Sequence, residues 1–240
     1  VPVGAWTGGY RYEVPFVSWF AHIHPWQLAG VPVMPTTGIM RGPAGQARYR
    51  SRFSHLSEVA EPGYHRVELD RYDITAELTA TARVGMHRYT FHVDDTAWVL
   101  LELGADIGQV EINEFAFTRQ SATRFVGFVE DGRTRRRPKP VRIYFALDID
   151  TPPETLGGWD GDGNRVDGDV TGTDGGVYLK PPVQAGQEVM LKVALSLTGE
   201  AGAVKNLDAE LPHWDFDSVR RDAFAEWDRK LGAIEVEGGT

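Results

Sequence analysis

The sequence predicts a mainly β protein: a large antiparallel β-sandwich followed, near the end of the chain, by a linker helix. Three observations carry this prediction. Short runs rich in Val, Ile, Thr and aromatic residues recur between residues 49 and 196 with period-two alternation. Turn residues such as Gly63 and Asp73 separate the runs roughly every 8–12 residues, and no helical pattern intervenes. A helical period appears only after Ser196.

The opening segment, residues 4–38, is dense in aromatic and histidine side chains: Trp6, Tyr10, Tyr12, Phe16, Trp19, Phe20, His22, His24 and Trp26. Four prolines exclude a continuous helix, and the partial alternation suits short strands joined by shaped loops. Aromatic rings with polar edges line sugar sites because their faces stack on C–H surfaces. The segment is a candidate carbohydrate site; the alternative is an aromatic core with two hydrogen-bonded histidines.

The predicted strands follow in order along the middle of the chain. They are residues 64–69, 74–79, 86–92, 98–103, 110–118, 124–129, 141–148, 176–179 and 189–197. Their spacing favours a sandwich or barrel over an α/β fold. No internal repeat is visible.

Two loops interrupt the series of strands. Residues 131–140 form a basic turn, which we interpret as a solvated hairpin tip. Residues 159–176 are rich in Gly and Asp, and we expect a solvated loop. Asp160, Asp162 and Asn164 have the spacing of a calcium loop, which leaves a weak calcium site as the alternative. Arg165 stands where that loop needs glycine, and no Glu occupies its twelfth position.

The end of the chain changes character. Residues 199–211 predict a short helical or irregular segment that ends at Pro212. Residues 215–231 predict a helix capped by Asp215 or Asp217 and closed by Gly232. Its apolar stripe is expected to pack on the core: Phe216, Val219, Ala223, Trp227 and Leu231. The β-like tail after the helix predicts a link to a following domain.

Composition excludes several classes of function. The formal charge of −9 argues against nucleic acid or an anionic membrane as partner. No apolar run approaches membrane-spanning length, so no membrane partner is expected. The absence of cysteine excludes disulfides, zinc-thiolate sites and thiol nucleophiles. A start at Val1 without a signal sequence predicts either a processed secreted protein or part of a longer one, and the tail favours the second.

Several motifs together resemble the N-terminal domain of glycoside hydrolase family 92, the calcium-dependent exo-acting α-mannosidases. The resemblance rests on Gly8-Gly-Tyr-Arg-Tyr12, Phe20-Ala-His-Ile-His24, Val33-Met-Pro-Thr-Thr-Gly38, Phe53-Ser-His-Leu-Ser-Glu58 and His87-Arg-Tyr-Thr-Phe91. Near the end, Asn206-Leu-Asp-Ala-Glu210, Trp214-Asp-Phe216 and residues 231–237 are similar to the family's connector. Matches are dense over residues 4–91 and 196–237 and thinner between them.

The resemblance implies a two-domain, secreted or cell-envelope enzyme that hydrolyses terminal α-mannosyl linkages of N-glycans or mannan with inversion. Residues 1–198 would form a sandwich of the galactose-mutarotase type, and residues 199–240 a helical linker to an (α/α) barrel. That barrel would carry the catalytic acid, the base and the Ca²⁺ ligands, so no catalytic or metal-binding residue is assigned to this chain. We therefore expect the chain alone to be inactive toward its partner, a mannose-containing glycan.

The same resemblance assigns substrate contacts to Trp6, His22, His24 and Trp26. Trp6 precedes the Gly-Gly-Tyr element, where the family places a tryptophan on the sugar. His22 and His24, two residues apart, would share one face of a strand, either donating to substrate hydroxyls or supporting the loop. Trp26 is a candidate for a leaving-group subsite. The remaining histidines in the sandwich are interpreted as structural: His55, His65, His87 and His92.

Two departures from the family keep alternatives open. The family's opening strand is absent, and Pro25-Trp-Gln-Leu-Ala-Gly30 replaces its Leu-Ser-Gly-Thr-Gly, which is compatible with an enzyme that acts on mannosyl phosphodiesters. A second alternative is an autonomous carbohydrate-binding module that uses Trp6, Trp19 and Trp26 as a platform. A third is a self-contained enzyme of the sugar-mutarotase kind, with His22 or His24 facing a carboxylate. The local acidic pairs Glu58/Glu61 and Glu77/Asp70 are interpreted as surface residues.

Overall fold

The computed structural model describes residues 11–23, 28, 30–104, 110–234 and 238. The strands in chain order are β1 (Phe16–Val17), β2 (Val33–Thr37), β3 (Ser51–Arg52), β4 (Val59–Glu61), β5 (Tyr64–Leu69), β6 (Ile74–Ala80), β7 (Val84–Phe91), β8 (Ala97–Leu101), β9 (Ile112–Arg119), β10 (Arg124–Asp131), β11 (Val141–Ile149), β12 (Thr155–Asp160), β13 (Arg165–Asp167), β14 (Val170–Gly172), β15 (Gly175–Lys180) and β16 (Glu188–Ser196). The helices are α1 (Gln46–Tyr49), α2 (Glu200–Glu210) and α3 (Phe216–Leu231), and a 3₁₀ turn spans Gly42–Ala44.

Two antiparallel sheets face each other across the main core. The larger has the order β14-β9-β10-β11-β16-β7-β6-β5-β4, the smaller the order β13-β12-β15-β8-β2, and β1 pairs separately with β3. Side chains from both large sheets meet in one apolar cluster, for example Phe117 and Tyr89 from one and Val99 and Leu179 from the other. The predicted large antiparallel sandwich is confirmed.

The expectation of a solvated loop over residues 159–176 is wrong. This stretch contains β13, β14 and parts of β12 and β15, and the Trp159 side chain is buried at 3% exposure. Its glycines make room for that ring: a Cβ on Gly176 would lie 2.4 Å from the Trp159 ring, and one on Gly42 would lie 2.6 Å from it. Glycine thus marks a packing site here, although in a sequence it indicates a loop.

The basic turn that follows β10 is held to the protein by hydrogen bonds of one arginine. The Arg137 guanidinium donates to the carbonyl oxygens of Asp131, Gly132 and Lys139. These bonds fold residues 131–140 onto the end of the hairpin formed by β10 and β11.

The outer face of the larger sheet carries a second apolar cluster, formed with α2 and α3. Val84, Met86 and Ala194 from the sheet meet Leu207 and Phe216 from the helices. The central strands of the large sheet are therefore covered on both faces.

Among the described residues, no helix is long and apolar enough to cross a membrane.

Helix α3 begins and ends as the sequence predicts, but only half of its stripe is buried. The Asp215 carboxylate accepts from the Ser218 amide, and Gly232 closes the helix. Phe216, Val219 and Ala223 are buried, whereas Trp227 is 48% exposed and Leu231 60% exposed. The expectation that Trp227 is buried on the sandwich with Phe216 and Val219 is wrong, because about half of its side chain remains open to solvent.

Candidate functional site

His22 is the one sequence-predicted site residue that lies among the described residues; Trp6, His24 and Trp26 lie outside them. His22 does not lie on a strand, so the expected strand alternation with His24 does not apply at this position. It follows Phe20, which pairs with Val33 through a single antiparallel bridge. That bridge sets the segment against the inner core.

The His22 ring is held at both nitrogens. Nδ1 lies 2.7 Å from the Val31 carbonyl oxygen, and Nε2 lies 2.8 Å from Nε2 of His87. The two imidazoles also stack, with centroids 4.7 Å apart and planes inclined by 18°. His87 lies on β7 and is 2% exposed. A contact across 65 residues of sequence therefore pins the opening segment to the large sheet.

One set of tautomers satisfies every group in this chain of hydrogen bonds. A carbonyl oxygen only accepts, so Nδ1 of His22 carries the proton and Nε2 of a neutral ring is left to accept. His87 then donates from its own Nε2, and its Nδ1 accepts from the Tyr89 hydroxyl at 2.5 Å. Both rings are neutral in this arrangement, and a second proton on His22 would point directly at the His87 N–H.

The surroundings favour these neutral rings. Burial lowers the pKa of His22 to about 4, although its bond to the Val31 carbonyl acts in the opposite direction. Burial, followed by the neighbouring His22, holds the pKa of His87 well below its ordinary value. Removing a charged imidazolium from water is costly, and the described hydrogen bonds of the two rings go to the Val31 carbonyl, to the Tyr89 hydroxyl and to each other.

Gly85 on β7 provides the space for the His22 ring. A Cβ on Gly85 would lie 2.7 Å from Cδ2 of His22. Phe20 closes the other side, with its ring 6.2 Å from His87 in an edge geometry and 6.3 Å from Tyr89. Sequence reasoning assigned His87 only a structural role; the signal that it missed is the Gly85-x-His87 spacing, which places a gap and a ring on one face of a strand.

A family model described as the glycosyl hydrolase family 92 N-terminal domain matches residues 2–196. The chain belongs to glycosyl hydrolase family 92. A second model, described as the family 92 catalytic domain, matches residues 202–240. The resemblance read from the motifs is thereby confirmed.

Named relatives agree with this family assignment. An uncharacterized secreted glycosidase of Arthroderma benhamiae is 24% identical over 266 residues, an alignment that covers 97% of this chain and 34% of the relative. A family 92 α-mannosidase from Bacteroides thetaiotaomicron superposes with a TM-score of 0.86 at 23% identity, covering 99% of this chain and 34% of that one. Another family 92 glycosyl hydrolase gives 0.83 at 27% identity, covering 96% and 32%. A family 92 inverting mannosidase from the same Bacteroides gives 0.81 at 22% identity, covering 100% and 32%. The chain spans about a third of the length of these relatives.

The acidic pairs considered from the sequence are bound to other partners rather than to each other. Glu58 is bonded to His55 at 2.6 Å and to His65 at 2.9 Å, and its side chain is 6% exposed. Glu77 accepts from Arg88 and from the Tyr64 hydroxyl, and its side chain is 12% exposed. The interpretation as surface residues is wrong for Glu58 and Glu77, whose side chains are largely buried. It is confirmed for Glu61 and Asp70, which are exposed.

The Glu58 network forms a second histidine cluster that sequence reasoning left as structural. His55 also hydrogen-bonds the Tyr12 carbonyl at 2.7 Å, and the Tyr12 ring stacks on it at 4.1 Å between centroids. The hydrogen bond to Glu58 raises the pKa of His55 above its ordinary value. The cluster ties the end of the Gly8–Tyr12 element to the start of β4.

The calcium that family 92 implies finds no built site in this part of the chain. Across residues 11–23, 28, 30–104, 110–234 and 238, no three His, Asp or Glu side chains gather as metal ligands. In the Asp160 loop the carboxylate accepts from the backbone of Asp162 and from the backbone and side chain of Asn164. The Asn164 side chain, first among these bonds, lowers the pKa of Asp160. The loop is closed by its own hydrogen bonds, which occupy the Asp160 carboxylate.

The autonomous-module hypothesis loses one of its three platform rings. Trp19 is 8% exposed and belongs to the inner core, so it cannot present a face to a sugar.

Proposed function

We propose that this chain is the non-catalytic N-terminal part of a secreted family 92 α-mannosidase that cleaves terminal α-mannosyl linkages with inversion. The observation that carries the proposal is the division of the family matches: the N-terminal domain model covers residues 2–196, whereas the catalytic domain model meets the chain only over residues 202–240. The solved relatives described as α-mannosidase and inverting mannosidase support the substrate and the stereochemistry. The relative described as secreted supports the location.

In this proposal the division lies between residues 1–198, the sandwich, and residues 199–240, the helical linker. The acid, the base and the calcium ligands are residues of the catalytic domain. Inversion needs two carboxyl groups about 6.5–9.5 Å apart with a water between them. Glu58 and Glu77 in the sandwich already have partners, His65 and Arg88 respectively. This supports the assignment of the catalytic acid and base to the other domain.

His22 acts in the proposal as a supporting residue rather than as a donor to substrate. Both of its ring nitrogens are used inside the protein, by Val31 and His87, which leaves none for a sugar hydroxyl. It fixes residues 21–23 against the sheet and so supports the opening segment. We keep Trp6 as the ring that stacks on mannose, with His24 and Trp26 as further contacts.

Hydrolysis of an aryl α-mannoside tests the proposal. The gene product that carries this chain together with its catalytic domain should hydrolyse the substrate with calcium present, and NMR of the first product should show the inverted anomer. The 240-residue chain alone should give only the background rate. Turnover by the chain alone that disappears in His22→Ala would overturn the proposal in favour of a self-contained enzyme.

The role of Trp6 is tested in the same longer protein. Trp6→Ala should lower kcat/KM roughly 5- to 150-fold, because a stacking ring contributes about 1–3 kcal/mol, and should leave the melting temperature nearly unchanged. Trp98→Ala is the matched control. That half-buried ring donates to the Gly38 carbonyl and packs edge-on against Tyr178, so its loss should lower stability but not kcat/KM of the folded enzyme. A Trp6 variant that behaves like the Trp98 variant identifies Trp6 as a core residue.

A further inference from the structure

The apolar stripe of α3 is longer than the surface that buries it. Its first half packs on the sheet near Gly63, where a Cβ would lie 2.9 Å from Ala223. The helix then continues with large side chains that are open to solvent in this chain: Phe224 at 51% exposure, Trp227 at 48% and Leu231 at 60%. Ile234, just past the end of the helix, is 81% exposed. Exposed apolar side chains gathered on one helix mark an interaction surface, whereas single ones do not.

A groove of about 490 Å³ lies beside this exposed stripe. Val219, Ala223 and Trp227 form its helical wall, residues 80–82 of the turn between β6 and β7 form the opposite wall, and Leu211 closes one end. Charged and polar side chains also line it, among them Glu210, His213, Asp222, Glu226 and Lys230. Apolar side chains bordered by charged ones are the usual composition of a protein interface.

The family matches indicate what covers the groove. All four exposed apolar residues fall within residues 202–240, the part that matches the catalytic domain model, and the solved relatives are about three times as long as this chain. A helix that belongs to the catalytic domain and packs on the sandwich by its first half has its second half free for the rest of that domain. The charged residues beside the stripe are paired within the helix, with Glu226 bonded to Arg229 and Lys230.

We propose that the exposed stripe and its groove form the docking surface between the sandwich and the remainder of the catalytic domain, filled by an apolar segment of that domain. The inference rests on the proposed two-domain architecture and deepens it by naming the surface. Trp227 is its central residue, because a large ring beside a groove contributes most to such contacts. Residues 216–223 hold the helix on the sandwich, and residues 224–234 hold it on the barrel.

Hydrogen exchange tests the docking surface directly. Amides of residues 224–231 should exchange at least about tenfold more slowly in the longer gene product than in the 240-residue chain, since burial adds protection against local opening. In the longer protein, Trp227→Ala combined with Leu231→Ala should remove that protection and speed tryptic cleavage after Lys230 by a similar factor. Arg229→Ala, on the same turn but on the polar side, is the control and should leave protection unchanged.

Three outcomes would overturn the inference. Equal exchange rates in the two proteins would show that nothing covers the stripe. Protection unchanged by the double variant would place the interface elsewhere. Concentration-dependent dimerisation of the 240-residue chain that the double variant abolishes, without added protection in the longer protein, would identify a second copy as the partner. α-Mannosidase activity of the unaltered longer protein is measured in parallel, so a failed docking surface remains distinguishable from a failed function.

Discussion

Acid should destabilise the fold through the His22–His87 pair. His22 has a pKa of about 4 in the folded chain, against an ordinary value of 6.5. The unfolded chain therefore binds a proton below pH 6.5 that the folded chain does not bind until the pH nears 4. The stabilisation is fully present above pH 6.5 and is lost as the pH falls through that window. From these two pKa values, His22 alone accounts for about 2 kcal/mol lost by pH 5 and about 3 kcal/mol by pH 4.

His22→Asn isolates this contribution, because the shorter amide still reaches toward the Val31 carbonyl but does not titrate. At pH 7.5 the variant should be less stable by about 1–3 kcal/mol, since the His87 N–H loses its acceptor inside the protein. Between pH 6.5 and 4.5 the unfolding free energy of the unaltered chain should fall more steeply than that of the variant, by up to about 1.4 kcal/mol per pH unit. The two curves should therefore converge toward pH 5.

Urea unfolding at four pH values, followed by far-UV circular dichroism, measures both curves. The difference between the two unfolding free energies at one pH removes the contributions that both proteins share. These come from the carboxylates and from His55, whose raised pKa acts with the opposite sign. A stability difference that stays constant from pH 7.5 to 4.5 would refute the assignment of neutral, proton-excluding rings. So would an NMR titration in which the His22 Cε1 proton shifts with a midpoint near 6.5.

Three further changes test the packing described above. Gly85→Ala should cost about 1–3 kcal/mol by urea unfolding because its Cβ meets the His22 ring, and the cost should shrink in a His22→Ala background. Gly176→Ala should lower stability by about 3 kcal/mol, and Trp159→Leu should not rescue it, because the new Cβ also lies 2.4 Å from the Leu101 carbonyl oxygen. Asp215→Ala should cost about 1 kcal/mol in the same assay by removing the cap of α3, whereas Asp222→Ala within the helix should be nearly neutral.

The strands that could be predicted from the sequence are those whose burial pattern repeats every second residue. β5 was predicted with its observed bounds, Tyr64–Leu69, because apolar and polar residues alternate from Arg66 to Leu69 and turn residues lie on either side. β12 and β14 were not predicted because they contain glycines, which neighbouring groups require: a Cβ on Gly157 would meet Tyr178, one on Gly158 would meet Val170, and one on Gly172 would meet Phe115. Local composition cannot report a neighbour that is distant in sequence.

The surroundings of His22 could not be predicted from the sequence. The clustering of rings and histidines between residues 4 and 38 makes this segment a candidate site, which stays a prediction, whereas the family that the motifs indicated is confirmed. That His22 faces His87 depends on β7 lying beneath residues 21–23, a long-range consequence of sheet order. The exposure of Trp227 could not be predicted for the same reason. An apolar stripe on a helix indicates that another element packs against it, but it does not indicate which domain that element belongs to.

The second apolar cluster implies that the sandwich and the helices that cover it evolve as one unit. A cut at residue 198 would leave Val84, Met86 and Ala194 on the outer face of the large sheet facing water, since α2 and α3 cover them. Lys192 would lose the Leu211 carbonyl that its ammonium donates to. The family boundary drawn between residues 196 and 202 therefore passes through a shared hydrophobic interior. If recombination replaced the sandwich with that of a related protein, the exchanged segment would have to include α2 and the first turns of α3 as well as the sheet.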